Sequence, residues 1–293
     1  MSYTGTGTQE DPYIVTNIVD FRNLLTGSEG ETSYIKFGSN IDCNDGCPIW
    51  TSVESSGSTI NVNLNNKTLR NINTSGNNEL VHTQAGYPQT IVNFSNGTIQ
   101  NFFSSSCSCS FWAQASLDKV SFGGELLAVG YQTPLSFNNV SESNIHTKIL
   151  NPLSLNRVYA NTNISYSIIT TDIYNNLGSN NAVYDSIGGH FTTSAIKGRI
   201  ETVSVCEAHT YNTFTNSMAN SYIAMDIIPV NGQPFVCRGA SIYSGVNFFD
   251  KDRFMSSVNC TETNNFKGYT TAQCKNLAFL QSEGFPVYNP SEV

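Results

Sequence analysis

Leu64-Asn-Asn66-Lys-Thr68-Leu69-Arg-Asn71-Ile72 and Phe94-Ser-Asn96-Gly-Thr98-Ile99-Gln-Asn101-Phe102 lie thirty residues apart and repeat one pattern. In each, apolar residues fall at alternate or near-alternate places, an Asn-x-Thr turn follows, and another apolar pair closes the segment. Such a repeat reads as a solenoid, in which each coil of short strands buries one side, bends, and stacks on the next. Asn suits the bend because its short amide tolerates left-handed backbone and can stack in ladders between coils. The sequons Asn66-Lys-Thr68, Asn96-Gly-Thr98 and Asn163-Ile-Ser165 are therefore read as turn-makers rather than glycosylation sites.

Working outward, short apolar strands are predicted at residues 34–37, 60–64, 91–94, 117–122, 135–140 and 155–158, and less regularly at 182–187, 196–205, 222–228 and 240–248. Val120, Val140 and Val158 fall twenty and eighteen residues apart, each ending a strand rich in Asn or Ser. Residues 42–50 and 107–112 read as loops on a flank. Before the coils, a glycine-punctuated turn, Gly5-Thr6-Gly7-Thr8, leads into Tyr13-Ile14-Val15. A brief helix follows: Asn17 caps it, Asp20 sits near its positive end, and Ile18, Phe21, Leu24 and Leu25 form one apolar stripe before Gly27. Such a helix is a lid for the open end of a strand stack. Near the other end, Thr271 is expected to cap a helix carrying Cys274, Leu277 and Ala278 and ending at Gly284.

The expected architecture is thus all-β, a right-handed single-stranded parallel β-helix, with an N-terminal cap over 1–30, the helix proper over 31–249, and a C-terminal cap or oligomer contact over 250–293. The apolar runs Val246-Asn-Phe248-Phe249 and Phe285-Pro-Val-Tyr288 motivate a homo-oligomer, since they look costly to expose.

Only 12% of the 293 residues are charged, against a norm of about 25%, and Asn, Ser and Thr make up roughly a third. With 39% hydrophobic and 11% aromatic content the chain has ample surface to bury and is not disordered. A net charge of −8, with basic residues scattered singly, offers no stripe for a phosphate backbone, so no nucleic-acid partner is expected. No apolar run is long enough to insert in a membrane, and the opening lacks the basic and apolar regions of a secretory signal, so synthesis in a cytoplasm is expected. The eight cysteines are read as free thiols, and Cys43-x-x-x-Cys47 and Cys107-x-Cys109, with no His beside them, as no metal site. No cofactor is expected.

The string Gly5-Thr-Gly-Thr-x-x-Asp-Pro-Tyr13-Ile-Val resembles the opening of right-handed parallel β-helix proteins of the pectate-lyase-like superfamily, phage tail appendages and bacterial surface proteins among them. The helix that follows, the Asn-rich coils and the terminal Cys274-Lys-x-x-x-Phe-Leu-x-x-x-Gly-Phe285-Pro-Val segment look similar too. The resemblance implies a virion structural protein of the tail or appendage type, often trimeric. Its partners would be other virion proteins and a host-surface polysaccharide. It would be located in the virion after release by lysis, the alternative being a bacterial cell-surface adhesin.

Polysaccharide-cleaving members of the fold use clustered carboxylates, and hydrolysis needs a pair. The acidic candidates Asp118, Glu125, Glu142, Asp172, Asp185, Glu201 and Glu207 are singletons in the sequence. Glu201 and Glu207, with His209 or Arg199, are the one group that reads as an acid, a base and a charge stabiliser; the simpler account makes them solvated side chains. No catalytic residue is assigned. Trp50 and Trp112 are candidates for stacking on sugar rings, with Asn side chains bonding the hydroxyls. The alternative function is a polysaccharide depolymerase, a lyase or a glycoside hydrolase.

Overall fold

The computed structural model describes residues 3–25, 31–45, 57–75, 90–105, 115–127, 135, 137–150, 158–159, 162–175, 189–202, 215–229, 235–237, 240–254, 258–260 and 262–285. The described strands pair in parallel throughout, each coil on the one before, as a parallel β-helix requires. The strand Ile91–Ser105 runs across three faces of one coil. It pairs with Thr59–Asn63 on the first face, Thr68–Arg70 on the second and Asn73–Ser75 on the third. On its other side it pairs with Ala115–Leu127, and its register shifts between Ile99 and Phe102.

Alternation along each strand sends every second side chain inward, and stacking aligns these into columns. On the first face Ile35, Val62, Phe94, Leu117, Val140, Ile164, Phe191 and Met218 lie in register and buried. On the second, Leu69, Ile99, Phe122, Ile145, Ile169, Ile196 and Ile223 do the same. Each such side chain contributes about 1.5–3 kcal/mol of burial. The strands expected at 34–37, 91–94, 117–122 and 222–228 lie within observed ones, and that expected at 60–64 overruns Thr59–Asn63 by one residue. The strand expected at 182–187 lies outside the described residues, as do Trp50 and Trp112.

The helix α1 (Ile18–Leu25) forms as its stripe requires, burying Ile18, Phe21, Leu24 and Leu25. Asn17 Oδ1 accepts from the Asp20 N–H at 2.9 Å, and Asn17 Nδ2 donates to the Asp20 carboxylate at 2.8 Å. The glycine-rich opening is structural. The N–H groups of Thr6 and Gly7 both donate to the Asp11 carbonyl, and Gly7 offers its own carbonyl to Tyr34 N–H at 3.0 Å. A Cβ on Gly7 would lie 2.3 Å from the Tyr13 ring.

Two kinds of corner turn the coils. In the early coils Asn65, Asn66, Asn71, Asn96 and Asn101 adopt left-handed backbone with φ of 52–60°. Asn101 Nδ2 donates to Asn71 Oδ1 at 3.0 Å, and Asn71 Nδ2 to Asp42 at 2.8 Å, which is the expected ladder. From residue 119 onward the corner after the first face, held earlier by Asn66 and Asn96, holds Lys119, Glu142, Tyr166, Thr193 and Asn220. Here a column of buried hydroxyls carries the stacking. Ser143, Ser167, Ser194 and Ser221 accept from the backbone N–H of Val120, Ser143, Ser167 and Ser194 on the preceding coil, at 3.0–3.2 Å. Each donates to the carbonyl two residues upstream at 2.6–3.0 Å. Asn247 ends the column, accepting from Ser221 N–H and donating to the Ser244 and Asn265 carbonyls.

Three expectations are corrected. Asn163-Ile-Ser165 is a strand rather than a turn, paired on both sides, with Ile164 as its inward residue. The C-terminal helix divides into α2 (Thr271–Cys274) and α3 (Leu277–Ser282), capped by Thr270 and Asn276. Thr271 instead donates its hydroxyl to the buried Asp250 carboxylate at 2.8 Å. Finally, Phe248, Phe249 and Phe285 are not exposed: Phe285 packs edge-on against Phe248 at 4.8 Å, and Phe248 stacks on Tyr222 at 5.1 Å. These rings are covered by the chain itself and supply no reason for a second copy.

Candidate functional site

Because inward residues alternate with outward ones, the first face also exposes two polar columns. One runs Tyr34, Asn61, Asn93, Ser116, Asn139, Asn163, His190, Ser217. The other runs Lys36, Asn63, Ser95, Asp118, Ser141, Ser165, Thr192, Ala219 in the same registers. Amides and hydroxyls thus repeat at the rung spacing of about 4.8 Å, with Lys36 and Asp118 as the lysine and carboxylate members.

Neighbours in the columns hold one another. Asn93 Nδ2 donates to Asn61 Oδ1 at 3.0 Å, Asn163 Nδ2 to Asn139 Oδ1 at 3.4 Å, and Ser141 Oγ to Asp118 at 2.7 Å. His190 Nδ1 and Ser217 Oγ lie 2.9 Å apart. A primary amide has two donors and a carbonyl oxygen that accepts twice, so one ladder bond orients it and leaves capacity for a ligand. The stripe deepens at its early end into a groove of about 450 Å³, where Tyr34, Lys36, Asn61, Asn63, Asn93 and Asp118 meet Gln9 and Pro12.

The third face, in register with Asn73 and Phe103, carries charge. Its outward column reads Glu125, Lys148, Asp172, Arg199, Asp226, alternating in sign at every coil. Lys148 lies 3.6 Å from Glu125, and His146 Nε2 3.3 Å from Asp172. Arg253 caps the column, 3.9 Å from Asp226 and 3.7 Å from the buried Asp250. The acidic residues that look like singletons in the sequence are therefore brought together by stacking. A second groove, of about 490 Å³, opens beside Glu125, His146 and Lys148, over a floor of Phe103 and the Gly123-Gly124 pair.

Of the sequence-derived catalytic candidates, Arg199 and Glu201 do meet, through Nη2 at 2.8 Å and Nε at 3.1 Å. That hydrogen bond from the guanidinium raises the Arg199 pKa further above its ordinary range, so Arg199 cannot serve as a base. Glu207, His209 and Asp185 lie outside the described residues. His146 and His190 stand on different faces and do not converge. Cys43 is buried in the core and Cys274 in the C-terminal segment, where burial pushes its thiol up to about 12. That raised value makes Cys274 a poor nucleophile at neutral pH. Among the described residues no group of three or more His, Cys, Asp or Glu could hold a metal ion.

The polar stripe had a signal that spacing alone did not reveal. Asn61-Val-Asn63, Asn93-Phe-Ser95, Asn139-Val-Ser141, Asn163-Ile-Ser165 and His190-Phe-Thr192 are all polar-apolar-polar triplets. Their unequal separations conceal the register that makes them one surface.

No protein-family model and no curated protein sequence matches the chain. Among solved structures, the chain is similar to the crystal structure of a putative immunoglobulin A1 protease from Bacteroides ovatus. The TM-score is 0.48 and the identity 12%, over 95% of this chain and 90% of that one. No residue role is taken from that likeness.

Proposed function

We propose that the protein is an adhesive structural solenoid of a virion tail or appendage, attaching to a host-surface glycan through the polar outer stripe of its first face. The observation that supports this reading is the stripe itself: outward-facing, mostly half-buried amides and hydroxyls in register over successive coils, held by their own ladder bonds. Sugar hydroxyls both donate and accept, and an amide beside a hydroxyl answers both. Because the coils fix these groups before binding, little side-chain freedom is lost on contact. The virion assignment rests on the resemblance carried by the Gly5–Val15 opening.

Binding of the full-length chain to soluble polysaccharides by titration calorimetry tests the adhesive reading. Asn61→Ala together with Asn93→Ala is expected to weaken binding about tenfold with an unchanged circular dichroism spectrum. Equal binding by this double variant would overturn the reading. Immunogold labelling of particles against cell envelopes separates the virion location from the cell-surface alternative.

A second reading, glycan hydrolysis, is favoured by one feature: Glu125 and Asp172 flank Lys148 beside the second groove, two coils or about 10 Å apart. Release of reducing ends that disappears in Glu125→Gln or Asp172→Asn would support it. The ion pairs these carboxylates make favour a structural ladder.

A further inference from the structure

Tyr166 is out of keeping with its place in the fold. It occupies the left-handed corner between the first and second faces at φ 50°, a conformation that suits Gly or Asn and strains a bulky side chain. It is also 65% exposed, and among the described residues only Val19 shares its standing as an exposed large apolar side chain.

The turn does not call for a ring. The Tyr166 N–H donates to the Thr192 carbonyl at 3.1 Å, and the Ser167 hydroxyl makes the contacts that stack the corner. The equivalent corners hold Lys119, Glu142, Thr193 and Asn220, so size and polarity vary freely there. A strained, solvent-facing tyrosine that the backbone does not require points from an observed outlier to function. Its surroundings indicate which one: Asn163 and Ser165 precede it on the outward side of the same strand, and Thr192 follows one coil on. A tyrosine ring on an outward corner, next to strands that carry amides and hydroxyls and with Glu142 and Thr193 at the adjoining corners, matches a pyranose, which has an apolar C–H face and a polar rim.

We propose that Tyr166 is the stacking anchor of the glycan site, holding one neutral hexopyranose unit by its C–H face at the corner while the stripe bonds the hydroxyls of the units beside it. This rests on the glycan reading of the stripe and adds the sugar class to it.

The test uses the full-length chain with dextran, galactomannan and xyloglucan as neutral probes and alginate as an acidic one. At least one neutral probe is expected to bind better than alginate. Tyr166→Asn is expected to weaken that binding about tenfold while raising the melting temperature, because Asn accepts the left-handed turn. Tyr166→Phe, which keeps the ring, is expected to bind within about threefold of the parent.

Unchanged binding by Tyr166→Asn, with binding lost in Asn61→Ala/Asn93→Ala, would overturn the anchor and leave the stripe standing. Equal losses in Tyr166→Phe and Tyr166→Asn would overturn stacking. A lower melting temperature in Tyr166→Asn would show that the fold itself uses the ring, and would also overturn the proposal. Failure of the parent to bind any of the probes, or binding to alginate alone, would remove the anchor.

Discussion

The coils around residues 59–105 and those from 139 to 229 solve the same problem differently. Both must reverse direction through a left-handed residue and tie each corner to the next. The early coils place Asn at both corners, and at the one between the second and third faces a single side chain supplies both the backbone tolerance and the ladder bond, at the surface. The later coils, at the corner between the first and second faces, divide these tasks. A buried Ser takes a backbone N–H from the preceding coil, and the left-handed residue beside it is left to vary. Surface ladders lose to water what they gain from each other, whereas a buried N–H stripped of its partner pays its full desolvation penalty. The later design is therefore the more fragile to substitution, and it is the one that frees the corner for a residue such as Tyr166.

The largest expected effect is at the end of the serine column. Asn247→Ala removes one buried and two part-buried hydrogen bonds of a fully buried side chain and is expected to destabilise by about 3 kcal/mol in denaturant unfolding. Ser194→Ala, which strands the Ser167 N–H and takes one of two donors from the Thr192 carbonyl, is expected to lose about 2 kcal/mol. Thr193→Asn should go the other way, gaining about 1 kcal/mol by relieving a β-branched residue at φ 48°. In the early coils Asn71→Gly keeps the turn and loses only surface bonds, so about 0.5 kcal/mol is expected. If Asn71→Gly cost more than Ser194→Ala, the contrast between the two designs would fail.

The two regions also differ in the pH that unsettles them. Asp42 is held below the ordinary carboxylate value of 3.8, first by the hydrogen bond from Asn71 and then by the Asn44 N–H. Its contribution is full above that value and disappears as the pH falls through the lowered folded pKa. Asp42→Asn should therefore remove part of the loss of stability in acid; Glu283, held low by the Tyr269 hydroxyl and Lys267, adds another part in the C-terminal segment. Tyr159, buried between Thr147 and Thr171, is pushed up to about 12 by burial. Its contribution is complete below the ordinary value of 10.0 and is lost as the pH rises toward 12. Tyr159→Phe should shrink the alkaline loss of stability, measured by circular dichroism between pH 9 and 12, and leave the parts due to Tyr269 and Cys274, whose values are also raised.

Much of the fold was legible because its evidence is local. The Asn66/Asn96 and Asn71/Asn101 recurrences mark turns that only a few residue types make cheaply, and Ile18, Phe21, Leu24 and Leu25 announce a helix face within one window. The serine column was missed although Ser143, Ser167, Ser194 and Ser221 stand in the open sequence. A serine beside a corner looks like any loop serine until the N–H above it is located. The division of the C-terminal helix was missed likewise, because Thr271 and Thr270 are equally good caps until Asp250 claims one of them.

Periodicity, turn chemistry and the capping stripe were thus enough to specify a stack of parallel strands, since each depends on residues near one another in the chain. Which side chains share a surface depended on register between coils separated by loops of unequal length. A shift of one residue would turn Asn93 inward and Phe94 outward. Only the tertiary structure could align Glu125 with Lys148 and Asp172, gather the polar triplets into one stripe, and leave Tyr166 exposed at its corner.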